Sequence, residues 1–123
     1  MKIGIDLDNT ITASKQSIEF FSVLTNLLIA ENKIYIITNR KPNTHQDVAN
    51  ELDCLNIDYN EIIITDEKIK FIKENNIEIF FDDMDENFLE LGEEVQVFKV
   101  REPGGFDFSA KKWIGNNKTV RMI

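Results

Sequence analysis

Cysteine occurs once in the 123 residues, at Cys54, and histidine once, at His45. A single thiol closes no disulfide within the chain and cannot build a cysteine-based zinc site. Cys54 reads as a small core residue on a helix. His45 stands alone at a helix start and is given no catalytic role. Basic clusters are also missing. The longest basic run is Lys111-Lys112, and 22 acids against 14 bases leave a net charge of -8. Nucleic-acid backbones need grouped Lys and Arg, so a general nucleic-acid binder is excluded, and an anionic membrane surface is disfavoured. No apolar stretch approaches the ~20 residues that span a bilayer. Asp6 interrupts the apolar run that a signal peptide would need. A reduced, cytoplasmic setting is expected, with no membrane partner and no nucleic-acid partner.

What is present is an alternation of short apolar runs and longer amphipathic stretches. Strands are predicted over residues 2–7, 33–38, 61–64, 77–81 and 95–100, and helices over 15–31, 44–54, about 65–75 and 86–91. Ser14 and Thr65 are the expected caps. Ile18, Phe21, Leu24, Leu27 and Leu28 are expected on the inner face of the first helix, and Ile69 and Ile72 on that of the third. Residues 101–112 read as a long loop, and 113–123 as a short terminal element. Runs such as IYII, EIII and IEIFF are nearly continuous in apolar residues, as strands covered on both faces require. The expected fold is α/β: a three-layer, Rossmann-like arrangement with a mostly parallel five-stranded sheet and helices on both faces. It is read as a single domain over 1–123.

In such sheets ligands bind beyond the carboxyl ends of the strands. There the sequence places Asp6, Asp8, Asn9 and Thr10; Thr38, Asn39 and Arg40; and Asp82, Asp83 and Asp85. Lys68 sits in the first turn of the third helix. Carboxylates crowded together repel and lose solvation, so the cluster calls for a cation. Oxygen-only ligands select a hard ion, Mg2+ where phosphate also binds. A lysine and a hydroxyl beside Mg2+ suit a phosphoryl group, whose transition state spreads charge over three oxygens.

These same residues resemble the motifs of the haloacid dehalogenase superfamily. Ile3-Gly4-Ile5-Asp6-Leu7-Asp8-Asn9-Thr10 is similar to its first motif, an apolar strand followed by Asp-x-Asp-x-Thr. Ile34 to Thr38 resembles the second, Lys68 the third, and Ile77 to Asp83 the fourth; together they cover roughly residues 2–100. Asn9 stands where many members carry glycine, and asparagine tolerates left-handed backbone better than most residues. The resemblance implies a small capless phosphatase, a Mg2+-dependent phosphomonoester hydrolase working through an aspartyl-phosphate. It implies Asp6 as nucleophile, Asp8 as general acid and base, and Thr38, Asn39 and Lys68 as phosphate ligands. It implies a metal held by Asp6, the backbone carbonyl of Asp8, and Asp82 or Asp83. Lys70 is the fallback for Lys68.

One helix fills the stretch from Asp8 to Thr38, and one helix and one strand fill that from Thr38 to Lys68, leaving no room for a cap domain. The site is therefore expected to be open unless the tail or a second copy of the chain covers it. The expected substrate is a phosphorylated small molecule or an exposed phosphate on a larger one. Arg40 could face substrate phosphate or sugar, or only the surface. Three other readings remain beside this one: a module that holds Mg2+ and phosphate without turnover, a nucleotidase-like enzyme whose site is covered by oligomerisation, and a receiver domain. The receiver fits least well, because there the acid pair precedes the phosphoacceptor and the lysine comes late.

Overall fold

The computed structural model describes residues 1–101, 106–107 and 109–113. Five strands form one parallel sheet: β1 (Lys2–Ile5), β2 (Lys33–Thr38), β3 (Glu61–Ile64), β4 (Ile79–Asp82) and β5 (Gln96–Lys99), in the order β3-β2-β1-β4-β5. Helices α1 (Lys15–Leu28), α2 (His45–Cys54) and α3 (Lys68–Glu74) connect them. The expected α/β, Rossmann-like sheet is what the chain forms.

Alternation along β2 shows how the layers are built. Ile34 and Ile36 belong to one core with Ile3 and Ile5 of β1, Phe21 of α1, and Val48 and Leu52 of α2. Tyr35 and Ile37 belong to the other, with Ile72 of α3, Ile77 and Phe80. Successive strand residues point to opposite faces, so α1 and α2 cover one face and α3 the other. Phe21 meets Phe81 edge-on, with ring centroids 5.3 Å apart. Gly4 faces the α3 side, where an added Cβ would meet Ile37 Cδ1 at 2.8 Å. The space above position 4 is filled by the side chains of Ile37, Ile77 and Phe80, so a side chain there would force them to shift.

Local signals mostly act where the sequence puts them. Ser14 caps α1 by accepting from the Ser17 amide at 3.0 Å. Thr65 instead accepts from the Glu67 amide at 3.0 Å, which closes a turn, and α3 begins at Lys68 with no side-chain cap. The short helix expected at 86–91 is a single 3-10 turn over Asp85–Phe88. Leu27 is 73% exposed, together with Phe20 and Val23, because the buried stripe of α1 runs through Phe21 and Thr25. Cys54 is exposed rather than core, at the last turn of α2 beyond Leu52. Within the stretch expected to be loop, β6 (Phe106–Asp107) and β7 (Lys112–Trp113) pair antiparallel. Of the terminal element expected over 113–123, all but Trp113 lies outside the described residues. Among the described residues, no helix is long and apolar enough to cross a membrane.

Candidate metal and phosphoryl site

The site follows from strand pairing. β4 lies beside β1, with Ile5 opposite Phe81, and the Asp6 amide donates to the Phe81 carbonyl at 3.0 Å. The residues that follow each strand therefore emerge side by side: Asp6 from β1, and Asp82 and Asp83 at the end of β4. All three are buried, with carboxylate oxygens within 4.8 Å of one another.

Lys68, itself only 7% exposed, donates from Nζ to Asp6 Oδ1 at 2.6 Å and to Asp82 Oδ2 at 3.1 Å. Asp82 is further held by the Met84 amide at 2.9 Å and by Asn87 Nδ2 at 3.0 Å. Both its oxygens are thus engaged by donors. The fully buried Thr10 hydroxyl lies 2.7 Å from Asp6 Oδ2 and 3.3 Å from Asp83 Oδ1. A hydroxyl has one proton to give, and the shorter contact takes it. The longer contact shares that same proton with Asp83 at greater distance.

The electrostatics agree with that sharing. Burial raises Asp6 from 3.8 to about 7, against the opposing pull of Lys68, and Asp82 adds to the rise. Asp83 is also pushed up, first by burial and then through the neighbouring Asp82 charge, although its hydrogen bond to Asp6 works the other way. Burial works against the charge on Lys68, but attraction to Asp6 and Asp82 outweighs it, and its pKa is raised. Three carboxylates and one ammonium leave two negative charges when all are ionised. A divalent cation matches that surplus, and an all-oxygen donor set matches a hard one.

Thr38 ends β2 on the same sheet edge. Its hydroxyl is buried and, among the described residues, is the buried side-chain polar atom without a hydrogen-bond partner. Such an atom costs stability unless something supplies a partner, and a phosphoryl oxygen would do so. Beside the acids and Lys68 lies a cavity of about 210 Å³, lined by Asp6, Asp8, Asn39, Lys68, Asp83 and Asn87 among others; Thr38 is not one of its lining residues.

Asp6, Lys68, Asp82 and Asp83 are thus brought together, and Asn39 stands exposed at the cavity wall. Lys70 is exposed and is not among the residues lining this cavity. The Asp8 side chain is half-exposed, lines the same cavity as Asp6 and Asp83, and pairs with Arg40 at 2.7 Å. Asn9 adopts φ 60°, the left-handed backbone that its residue type allows. His45 heads α2, exposed. Asn87 escaped sequence reasoning: one amide in a polar turn carries no pattern that ties it to Asp82. Thr10 was visible as part of a motif, but its bridge between two carboxyls was not. No protein-family model matches the chain, nor does any curated protein or solved structure, so what the site can do is read from its geometry and chemistry.

Proposed function

We propose that the chain is a Mg2+-dependent phosphomonoester hydrolase of the haloacid dehalogenase type. The observation that carries this reading is the grouping of three buried carboxylates with a buried lysine at the carboxyl edge of a parallel sheet. Thr38, at the end of β2 on the same sheet edge, has a buried hydroxyl without a partner and would add a donor for phosphate. Asp6 and Asp83 both line the cavity, and Asp82, which is not among its lining residues, is held by Lys68, Met84 and Asn87. Asp6 and Asp83, with the Asp8 carbonyl, would therefore hold the metal, and Asp82 would orient Lys68. The bound ion would neutralise the carboxylates and the phosphoryl charge.

The chain's own groups then divide the work. Lys68 and Thr38 donate to the phosphoryl oxygens and hold phosphorus in line with Asp6. A carboxylate oxygen of Asp6 attacks phosphorus as the bond to the leaving oxygen breaks. Asp8 gives its proton to that oxygen. It then takes a proton from water, which attacks the aspartyl-phosphate; inorganic phosphate leaves and Asp6 returns as a carboxylate. Thr10 fixes the rotation of Asp6 throughout.

The test is phosphate release from a panel of phosphomonoesters, with Mg2+ and after exhaustive chelation, combined with acid-quench mass spectrometry for a phosphoryl adduct on Asp6. Metal-dependent release with the adduct on Asp6 is the expected result. Release that survives chelation would reject the metal. Binding of Mg2+ and phosphate with no release from any ester would instead make the chain a phosphate-holding module.

A further inference from the structure

Arg40 lies two residues beyond Thr38 and pairs with the side chain of Asp8 at the cavity rim. Its Nη2 donates to Asp8 Oδ1 at 2.7 Å and its Nε to Asp8 Oδ2 at 3.1 Å, so the guanidinium grips both oxygens at once. Its other edge meets Glu51 of α2: Nη2 donates to Oε1 at 3.2 Å and Nη1 to Oε2. Glu51 is itself held by the helix, whose neighbouring residue Leu52 is fully buried. A guanidinium already flanked by two carboxylates has its charge answered and its donors in use. It has little left to offer an anionic substrate.

We propose that Arg40, anchored by Glu51, is a positioning residue that fixes the orientation of the Asp8 carboxylate at the mouth of the cavity without touching substrate. This rests on the reading of Asp8 as acid and base. Asp8 needs such help. It sits on a loop past the end of β1, and its side chain is 50% exposed. Left alone, a carboxylate there samples several rotamers. Proton transfer requires it within hydrogen-bond reach of the leaving oxygen, and a misplacement of ~1 Å can cost ~10²-fold in rate. A planar, two-pronged donor fixed at its far side removes that freedom. Lysine, a single point charge on a flexible stem, does not. The order of support is α2, Glu51, Arg40, Asp8.

The test measures Arg40→Gln, Arg40→Lys and Glu51→Gln, each in the wild-type and Asp8→Asn backgrounds, with saturating Mg2+. Substrates are p-nitrophenyl phosphate and an alkyl phosphate, whose leaving group needs a proton. Arg40→Gln should lower kcat on the alkyl ester about 10- to 100-fold with KM moved less than about twofold, and lower it less on the activated ester. Arg40→Lys should fail to restore kcat. Glu51→Gln should show the same pattern, weaker. In the Asp8→Asn background none of these changes should cost anything further, because the group being positioned is gone. Melting temperature and Mg2+ affinity guard against a folding defect. A raised KM at unchanged kcat would make Arg40 a substrate ligand and overturn the proposal, as would an equal loss in the Asp8→Asn background. A second measurement does not need turnover. Scalar couplings of the Asp8 β-protons should show one χ1 rotamer in the wild type and averaging in Arg40→Gln, and equal averaging in both would also overturn it. A wild type inert on every ester rejects the hydrolase reading, while the couplings still decide whether Arg40 fixes Asp8.

Discussion

Lys68 Nζ stands 2.6 Å from Asp6 Oδ1, an ion pair between residues 62 positions apart in the chain, and both partners are buried. It ties the first helical turn after β3 to the loop after β1. Breaking a buried pair by removing one partner leaves an uncompensated charge and costs ~3–5 kcal/mol. Lys68→Met should therefore lower the metal-free melting temperature sharply and abolish measurable turnover. Added Mg2+ should recover more stability in this variant than in the wild type, because more repulsion remains to be relieved. Calorimetry with and without Mg2+ checks it; an unchanged metal-free melting temperature would mean that the pair contributes nothing net.

Asp6→Asn tests the nucleophile and the crowding together. An amide keeps the size and the Thr10 contact but removes one of three negative charges. Turnover should fall by more than ~10³-fold, beyond the usual worth of acid–base help alone. The metal-free protein should be more stable by ~1 kcal/mol, several degrees in melting temperature for a domain of this size. Residual activity above about a tenth of wild type would remove Asp6 from that role.

The raised carboxyls predict an unusual pH dependence. Asp6 titrates at about 7 in the folded chain against 3.8 as its ordinary value. Between those two pH values the native state holds a proton that the unfolded chain has released, so stability falls as pH rises. Asp83 is shifted in the same direction. In chelator, the urea midpoint should be higher at pH 5 than at pH 7.5. Asp6→Asn should flatten that slope, and saturating Mg2+ should reduce it, since the metal favours the ionised form. A metal-free midpoint that climbs steadily from pH 5 to 7.5 would contradict the burial-driven shift.

Thr38→Val should separate holding phosphate from holding the fold. The hydroxyl is buried with no partner, and an unsatisfied buried polar group costs ~1–3 kcal/mol. Valine has nearly the same shape, so the free protein should gain about 1 kcal/mol, while kcat/KM falls about 10- to 100-fold as a donor to the phosphoryl group is lost. Loss of stability together with loss of activity would show instead that the hydroxyl supports the fold.

Most of the architecture was legible because it depends on patterns that repeat. Apolar runs such as Tyr35 to Ile37 announce strands covered on both faces, and Asp6, Thr38 and Asp82 at strand ends announce the edge where a site forms. Boundaries decided by single contacts were less legible. Thr65 looks like a cap, but its oxygen is spent on Glu67 in a turn. Leu27 fits an apolar stripe drawn on a helical wheel, yet the core under α1 meets Phe21, Leu24, Thr25 and Leu28 and leaves Leu27 exposed. Asp82 and Asp83 are indistinguishable in the sequence, and only the structure shows one saturated by donors and the other lining the cavity. The engagement of both Asp8 oxygens by Arg40 needed the three-dimensional meeting of two loops.

The strand order β3-β2-β1-β4-β5 also bears on how the chain is made. During synthesis β1, β2 and β3 leave the ribosome before β4, and until β4 arrives the strand that ends at the centre of the finished sheet is an outer one. Its unpaired amides and carbonyls form an adhesive edge. At ~5–20 residues per second that edge stays open for roughly a few seconds. The same delay keeps Asp6 apart from Asp82 and Asp83 while the first half of the chain collapses, so the nascent chain need not confine three carboxylates before its apolar core exists. Charge crowding begins only with β4, and the strand that completes the acidic centre is also the one that seals the open edge of β1.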